Sequence, residues 1–257
     1  MAARSVWVGS VNFGMVSIPT KLYSATDDDK INLHQYHEAC GGRVKQPKWC
    51  EICSKFIDTT EIIKGYDAGD KLVELTEADL KSLPLKSIKS IEVLEFVDPS
   101  QIDFRCYSKA YFLKAETPGA KAYSLMMQGM EKTGLVAVAR LTYREREHLC
   151  ILRPYDGVML LQNLFYHEQL RSHKEFRPTE FLITEKEAEL AVTLVKAMHN
   201  PAFELFNYVD EYRNALGQLI EAKLAGKTLE VAETPREDVQ EVADALLASI
   251  NAVGAKA

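Results

Sequence analysis

The chain lacks long apolar runs: no stretch approaches the ~20 residues that a membrane-spanning helix needs. Its first ten residues, MAARSVWVGS, also lack the continuous apolar segment of a secretory signal. It has only five cysteines, an odd number that does not suit a disulfide scaffold and fits a reducing compartment. We therefore expect a globular protein of the cytoplasm, without a membrane segment.

The sequence also lacks the short motifs that identify common enzyme classes, namely G-x-S-x-G, the Walker loop, G-x-G-x-x-G and H-E-x-x-H. The alternating charges of residues 144–148 are typical of a solvated turn, and the aspartates at 27–29 are typical of a polar one. Because nothing assembles into a general acid and base, the sequence favours a binding protein over an enzyme.

A net basic charge is missing as well, since the 257 residues carry a formal net charge of −6. Residues 228–257 hold six acids and two bases and so account for −4 of that charge. By contrast, residues 140–177 hold seven bases against five acids. Phosphate binding responds to the local field, so a basic surface on this acidic chain is compatible with a nucleic-acid partner. The alternative is that these are ordinary solvated charges.

The most informative pattern that is present places four metal-ligand residues close together: His37, Cys40, Cys50 and Cys53. Two x2 pairs separated by a loop are the ligand arrangement of a tetrahedral zinc site, and a full set of four protein ligands favours a structural site. The alternatives are a C-x-x-C pair in a loop beside a solvated histidine, His34 as a competing ligand, or a redox pair, which would need a βαβ context. We predict a structural zinc loop at residues 34–56.

Apolar periodicity predicts strands first and helices later, which is an α+β fold, mostly β. Alternation over residues 6–18 indicates two short strands around a glycine-containing turn, and Pro19 is expected to limit the second to an edge or end. Further strands are predicted at 71–75, 90–97, 135–143 and 149–166, with a turn at 154–157. Helices are predicted at 76–83, 118–132, 184–198, 208–224 and 238–253.

Several long stretches carry a family resemblance in order and spacing: VWVGSVNFGMVSIPTKLYSAT, IIKGYDAGDKLVELTEADL, VAVARLTYREREHLCILRPYDG and EYRNALGQLIEAKLAGK. They resemble the bacterial Ku family, the DNA-end-binding factors of prokaryotic non-homologous end joining, over residues 5–228. The resemblance implies a protein without catalysis of its own that binds double-stranded DNA ends in the cytoplasm, at the nucleoid. The von Willebrand-like domain of eukaryotic relatives and a long Lys-rich C-terminal extension are not expected.

The fold implied by this resemblance is a Ku-core-type β-barrel, a strand-rich bridge that closes a ring in the homodimer, and a C-terminal helical arm. Residues 1–183 would form the barrel and bridge, 184–228 the arm, and 229–257 a short acidic tail. Nine basic residues are candidates for contacting DNA phosphate: Arg4, Lys21, Arg43, Lys45, Lys48, Arg140, Arg144, Arg171 and Lys174. For Arg140 the alternative is burial against a carboxylate.

Family members also resemble one another in a C-terminal segment that recruits ATP-dependent DNA ligase D. The helix at 238–253 occupies that position and has an apolar stripe formed by Val239, Val242, Leu246 and Ile250. The alternative is that this stripe docks onto the chain's own core. Two other functions remain open from the sequence: a zinc-dependent nucleic-acid-processing enzyme, and an adaptor that binds only proteins.

Overall fold

The computed structural model describes residues 4–27, 30–82, 89–143, 146–179 and 181–227. The chain is divided into two compact units: the first comprises residues 1–29 and 34–172, and the second comprises residues 30–33 and 173–257. Across the described residues, no helix is long and apolar enough to cross a bilayer.

Strands dominate the first unit and helices the second. The described strands are β1 (Trp7–Phe13), β2 (Val16–Ser24), β3 (Trp49–Cys50), β4 (Lys55–Phe56), β5 (Lys64–Asp67), β6 (Leu72–Leu75), β7 (Ser90–Val97), β8 (Tyr107–Ala115), β9 (Val136–Tyr143), β10 (Arg146–Tyr155) and β11 (Val158–Leu164). The described α-helices are α1 (Glu77–Ser82), α2 (Ala120–Thr133), α3 (Glu185–Ala197) and α4 (Glu211–Leu224). The predicted α+β fold, mostly β, is confirmed.

Seven strands form a closed barrel in the order β1-β2-β8-β11-β10-β9-β7. Neighbouring strands are antiparallel except at the closing seam, where β1 runs parallel to β7 with Val11 opposite Ile91. At this seam a side chain on Gly9 would collide with the carbonyl of Lys89 and the ring of Trp7. The barrel that the resemblance implies is therefore present, and glycine at position 9 allows the close approach that shuts it.

The barrel interior holds the hydrophobic core of the first unit. The fully buried side chains in this cluster include Val11, Ile18, Leu22, Ile91, Leu152, Met159 and Leu161. Helix α2 adds Met126 and Met130 to the same cluster. Burying each such side chain contributes about 1.5–3 kcal/mol, so this barrel is the stable part of the unit. These two methionines of α2 are therefore part of the core.

Local sequence signals explain several element boundaries. Asp156 and Gly157 both have positive φ, 44° and 76°, and form the two-residue turn between β10 and β11. Gly134, at φ 70°, ends α2 in the left-handed conformation. Thr184 and Glu187 form a reciprocal cap at the start of α3. The turn predicted at 154–157 and the helices predicted at 118–132 and 184–198 are confirmed.

Pro19 does not make β2 an edge strand, because β2 lies between β1 and β8 in the closed barrel. The pairing of β2 with β8 begins at Thr20, opposite Ala115, so Pro19 lies one residue outside that ladder. Its missing N–H therefore leaves no gap in the β2–β8 hydrogen bonds. The expectation that Pro19 limits this strand to an edge or end was wrong, since Pro19 lies within β2 and pairs with Ser10 of β1.

The described part of the second unit has no buried residue. Helices α3 and α4 expose large apolar side chains, among them Val195 and Tyr212. The second predicted arm helix begins at Glu211, three residues later than expected, because the Asp210 side chain accepts a hydrogen bond from the backbone N–H of Arg213. The helix predicted at 238–253 lies outside the described residues.

Thr20 provides a stability prediction. Its side chain is wholly buried, and its hydroxyl has no hydrogen-bond partner among the described residues. A buried unsatisfied hydroxyl is unfavourable, so Thr20→Val, which keeps the shape, is expected to raise the free energy of unfolding by about 1 kcal/mol. Denaturant unfolding of the two proteins measures this difference.

The matched control is Thr133→Val, because the Thr133 hydroxyl donates to the carbonyl of Gly129 at 2.9 Å. That substitution removes a satisfied hydroxyl and is not expected to stabilise the protein. A Thr20→Val variant that unfolds at lower denaturant than the parent protein would contradict the prediction.

Candidate metal half-sites and nucleic-acid interface

The predicted metal ligands and three of the predicted DNA-contacting residues lie in residues 34–82, which we call the insert. It leaves the barrel after β2, returns to it at β7, and contains two small hairpins, β3–β4 and β5–β6. None of its described side chains is buried. With so little apolar burial, the insert depends on turns and hydrogen bonds for its local order.

His37 and Cys40 form the first half-site, in a tight turn closed by backbone hydrogen bonds. The N–H groups of Gly41 and Cys40 both donate to the carbonyl of His37, and Tyr36 pairs with Arg43 beyond the turn. Gly41 has φ 65°, a left-handed conformation that glycine adopts freely. This turn brings Nδ1 of His37 to 3.1 Å from Sγ of Cys40.

Cys50 and Cys53 form the second half-site, at the turn between β3 and β4. Ser54 directly follows this pair and has a positive φ of 47°, just as Gly41 directly follows the pair His37 and Cys40 with a positive φ. The hydrogen bond from the backbone N–H of Cys53 lowers the pKa of the Cys50 thiol most. Hydrogen bonds with the Cys53 side chain and from the backbone N–H of Ile52 lower it further. The hydrogen bond with Cys50 raises the pKa of the Cys53 thiol in turn. The turn therefore lowers the pKa of Cys50 and makes its thiolate, the form that binds metal, easier to reach.

The two half-sites are each formed but are not gathered into one cluster. Within the described residues, no group of three or more His, Cys, Asp and Glu side chains is arranged to hold a metal ion. His34, the competing ligand, has its Nδ1 at 3.2 Å from a guanidinium nitrogen of Arg43. The zinc loop at 34–56 therefore stays a prediction, supported by two half-sites of suitable donor chemistry.

Two of the predicted DNA-contacting residues lie on the barrel beside carboxylates. Nζ of Lys21, on β2, is 2.8 Å from Glu116, and this hydrogen bond raises the pKa of the lysine. Nε of Arg140, on β9, is 3.8 Å from Glu147, and about a third of its side chain is exposed (38%). Strands β7 and β1 separate β9 from β2, so these two residues are not neighbours. Their partners reduce the positive charge that each offers to phosphate.

Three other candidates lie in the insert and are all exposed: Arg43, Lys45 and Lys48. In the part of the chain that the structure describes, neither lysine forms an ion pair. Residues 35–57 carry four bases against two acids, a positive balance within a negative chain. Unpaired exposed cations of this kind are free to approach phosphate.

The remaining candidates are scattered. Arg4 is exposed ahead of β1, and Arg171 is exposed near the end of the first unit. The carbonyl of Arg171 accepts a hydrogen bond from the guanidinium of Arg105 at 3.4 Å. Lys174 belongs to the second unit. Arg144 and the apolar residues of the tail, Val239, Val242, Leu246 and Ile250, lie outside the described residues.

Sequence reasoning missed an aromatic pair at the second half-site. Trp49 and Phe56 are directly opposite one another on β3 and β4, with ring centroids 4.8 Å apart in an edge-to-face arrangement. Their placement around the motif, W-C-x2-C-x2-F, was the signal that could have found them.

The sequence of this chain is similar to those of known proteins. A family model described as the Ku70/Ku80 β-barrel domain matches residues 12–197. The chain is similar to the non-homologous end joining protein Ku of Archaeoglobus fulgidus, with 43% identity over 253 residues that cover 97% of this chain and 99% of the relative. It is similar to the protein of that name from Bacillus subtilis, with 36% identity over 255 residues that cover 96% and 82% of the two chains. It is also similar to the protein of that name from Mycolicibacterium smegmatis, with 32% identity over 262 residues that cover 97% of this chain and 82% of the relative.

Proposed function

This chain belongs to the Ku family, and on that basis we propose that it binds double-stranded DNA ends, without sequence preference, in the joining of double-strand breaks. The observation that carries this proposal is the match of the Ku β-barrel model over residues 12–197, which covers the end of β1, the six other barrel strands and α3. Ku proteins bind DNA ends and are not catalysts, which agrees with the missing enzyme motifs.

Contacts to phosphate rather than to base edges suit this function, because break repair has to accept any sequence. Lys45 and Lys48 of the insert are exposed and form no ion pair with any described residue, so these two lysines, with Arg43 close by in sequence, are the strongest candidates for such contacts. Lys21 and Arg140 contribute less, since Glu116 and Glu147 already neutralise part of their charge. A local basic surface then accounts for DNA binding by a chain of net charge −6.

The working form is a homodimer whose two bridges and barrels close a ring around the duplex. Exposed apolar side chains in the second unit support this, including Phe181, Leu182, Phe203 and Phe206. Obligate homodimers bury large apolar surfaces, and a unit whose described residues include none that is buried needs such a partner. The isolated hairpin β5–β6, with every residue exposed, needs cover for the same reason.

A structural zinc ion would be held by His37, Cys40, Cys50 and Cys53. The preformed half-sites and the N–H donors to Cys50 support this assignment. When bound, zinc would cross-link the two turns and so order an insert in which no described side chain is buried, because metal-binding free energy becomes folding free energy in such segments.

Recruitment of ATP-dependent DNA ligase D is proposed for the C-terminal segment. The apolar stripe Val239, Val242, Leu246 and Ile250 supports it, since an amphipathic helix with spacing near 3.6 residues suits a hydrophobic groove on a partner.

The first prediction concerns the DNA end. A gel shift with a short blunt duplex is competed with linear plasmid and, separately, with the same plasmid as a closed circle. Competition by the linear form alone is expected, because a ring must thread onto an end. Equal competition by both forms would leave a general duplex binder, and absence of binding would favour the protein-only adaptor. Turnover of the DNA that a chelator abolishes would favour the zinc-dependent enzyme.

The second prediction concerns phosphate contacts in the insert. Lys48→Ala is expected to weaken binding equally for duplexes of different sequence and to reduce the slope of log K against log salt by about one. Lys121→Ala, a change at an exposed lysine on α2, is the matched control and should leave the slope unchanged. Identical slopes for Lys48→Ala, Lys45→Ala and the control would place the DNA on another surface.

The third prediction concerns zinc. The purified protein is expected to contain about one zinc ion per chain, and Cys50→Ser is expected to lose it. Zinc should also protect Cys40, Cys50 and Cys53 from alkylation. Cys150 is the internal control: burial raises its pKa to about 12, so it stays unreactive until the barrel unfolds. Metal content measured by atomic spectroscopy that is the same in both proteins would contradict the assignment.

A further inference from the structure

Trp49 and Phe56 expose aromatic surface that the first unit does not use for its core. Half of Trp49 (50%) and about two thirds of Phe56 (65%) are accessible to solvent. Both are outside the buried cluster of the barrel, whereas Trp7, the other tryptophan, belongs to it. Two large rings side by side on an exposed hairpin favour a ligand that covers them.

The metal half-site does not account for these rings. Successive side chains of a strand point to opposite faces, so the pair Trp49–Phe56 and the pair Cys50–Lys55 lie on different faces of the hairpin. The aromatic face is therefore available while the cysteine face holds metal.

Charge around the rings indicates the chemistry of the ligand. Lys48 directly precedes Trp49, Lys45 lies four residues before it, and both lysines are exposed. Lys55 pairs with Cys50 and therefore lies on the cysteine face. Exposed aromatic rings with cations close by in the chain form the usual stacking platform for unpaired nucleotides, since each base presents a π-face and each phosphate a charge.

We propose that Trp49 and Phe56 form a stacking site for the unpaired bases of a single-stranded overhang at a DNA end, with Lys45 and Lys48 holding its phosphates. This inference rests on the proposed function, because the overhang must be continuous with a bound duplex end. It goes beyond that function by assigning a second ligand class, unpaired nucleotides, to a defined face of the insert.

The test uses the full-length protein with two duplexes of the same paired sequence, one blunt and one with a short 3′ single-stranded extension. We expect the extended duplex to bind about tenfold more tightly, which corresponds to ~1.4 kcal/mol and lies within the range for base–aromatic stacking. Trp49→Leu is expected to abolish this difference while leaving affinity for the blunt duplex unchanged. Trp49→Tyr, which keeps an aromatic ring, is expected to restore most of it.

Tryptophan fluorescence gives an independent readout. Because Trp7 is buried and Trp49 is half-exposed, the extended duplex should quench emission from Trp49. The blunt duplex should quench it little, and Trp49→Tyr should remove the effect. Thermal unfolding of each variant shows whether it is folded. If Trp49→Leu does not fold, Phe56→Leu takes its place.

Two results would overturn the inference. One is equal affinity of the parent protein for the two duplexes. The other is an equal loss of both affinities in Trp49→Leu together with a change from dimer to monomer in light scattering, which would assign the face to the contact between copies. Failure of the proposed function is distinguishable, since the blunt duplex would then not bind at all or would be competed by closed circles.

Discussion

The parallel pairing of β1 with β7 is the contact on which the rest of the structure depends. It turns a sheet of antiparallel neighbours into a closed barrel, and so removes the exposed edges on which other chains could pair. The seam admits no side chain at Gly9, where the Lys89 carbonyl and the Trp7 ring already occupy the space. Across the barrel, the indole of Trp7 donates to the carbonyl of Thr142 at 3.3 Å and ties this seam to β9. In the chain, the insert therefore lies between two strands, β2 and β7, that belong to this closed barrel.

Most of the surface that we assign to function lies where burial is least. The insert has no buried side chain among those described, and the described part of the second unit has none either. Since burial of apolar area is the main favourable contribution to folding, we expect such segments to be stabilised by a partner chain, a metal ion or DNA. A self-sufficient barrel with dependent appendages suits the assembly around DNA that we propose.

Electrostatics follows the same division. On the barrel, the candidates Lys21 and Arg140 have carboxylate neighbours that neutralise them in part. On the insert, Lys45 and Lys48 have none among the described residues. Among these four candidates, the lysines of the insert therefore offer phosphate the positive charge that is least neutralised.

The sequence by itself determined the local elements, because their signals are contained within a few consecutive residues. The alternation in β1 and β2, the turn at Asp156–Gly157, the cap at Thr184 and the stripe of α2 were all predictable from periods of 2 and 3.6 and from backbone preferences. The two metal-ligand pairs were predictable for the same reason, since an x2 spacing fits one turn. Only the tertiary structure decided that the strand containing Pro19 has a neighbour on each side in a closed barrel. It also decided that Arg140 approaches Glu147 and that Trp49 shares a face with Phe56. These facts depend on register and closure, which join residues through pairings between strands that no short-range pattern in the chain specifies.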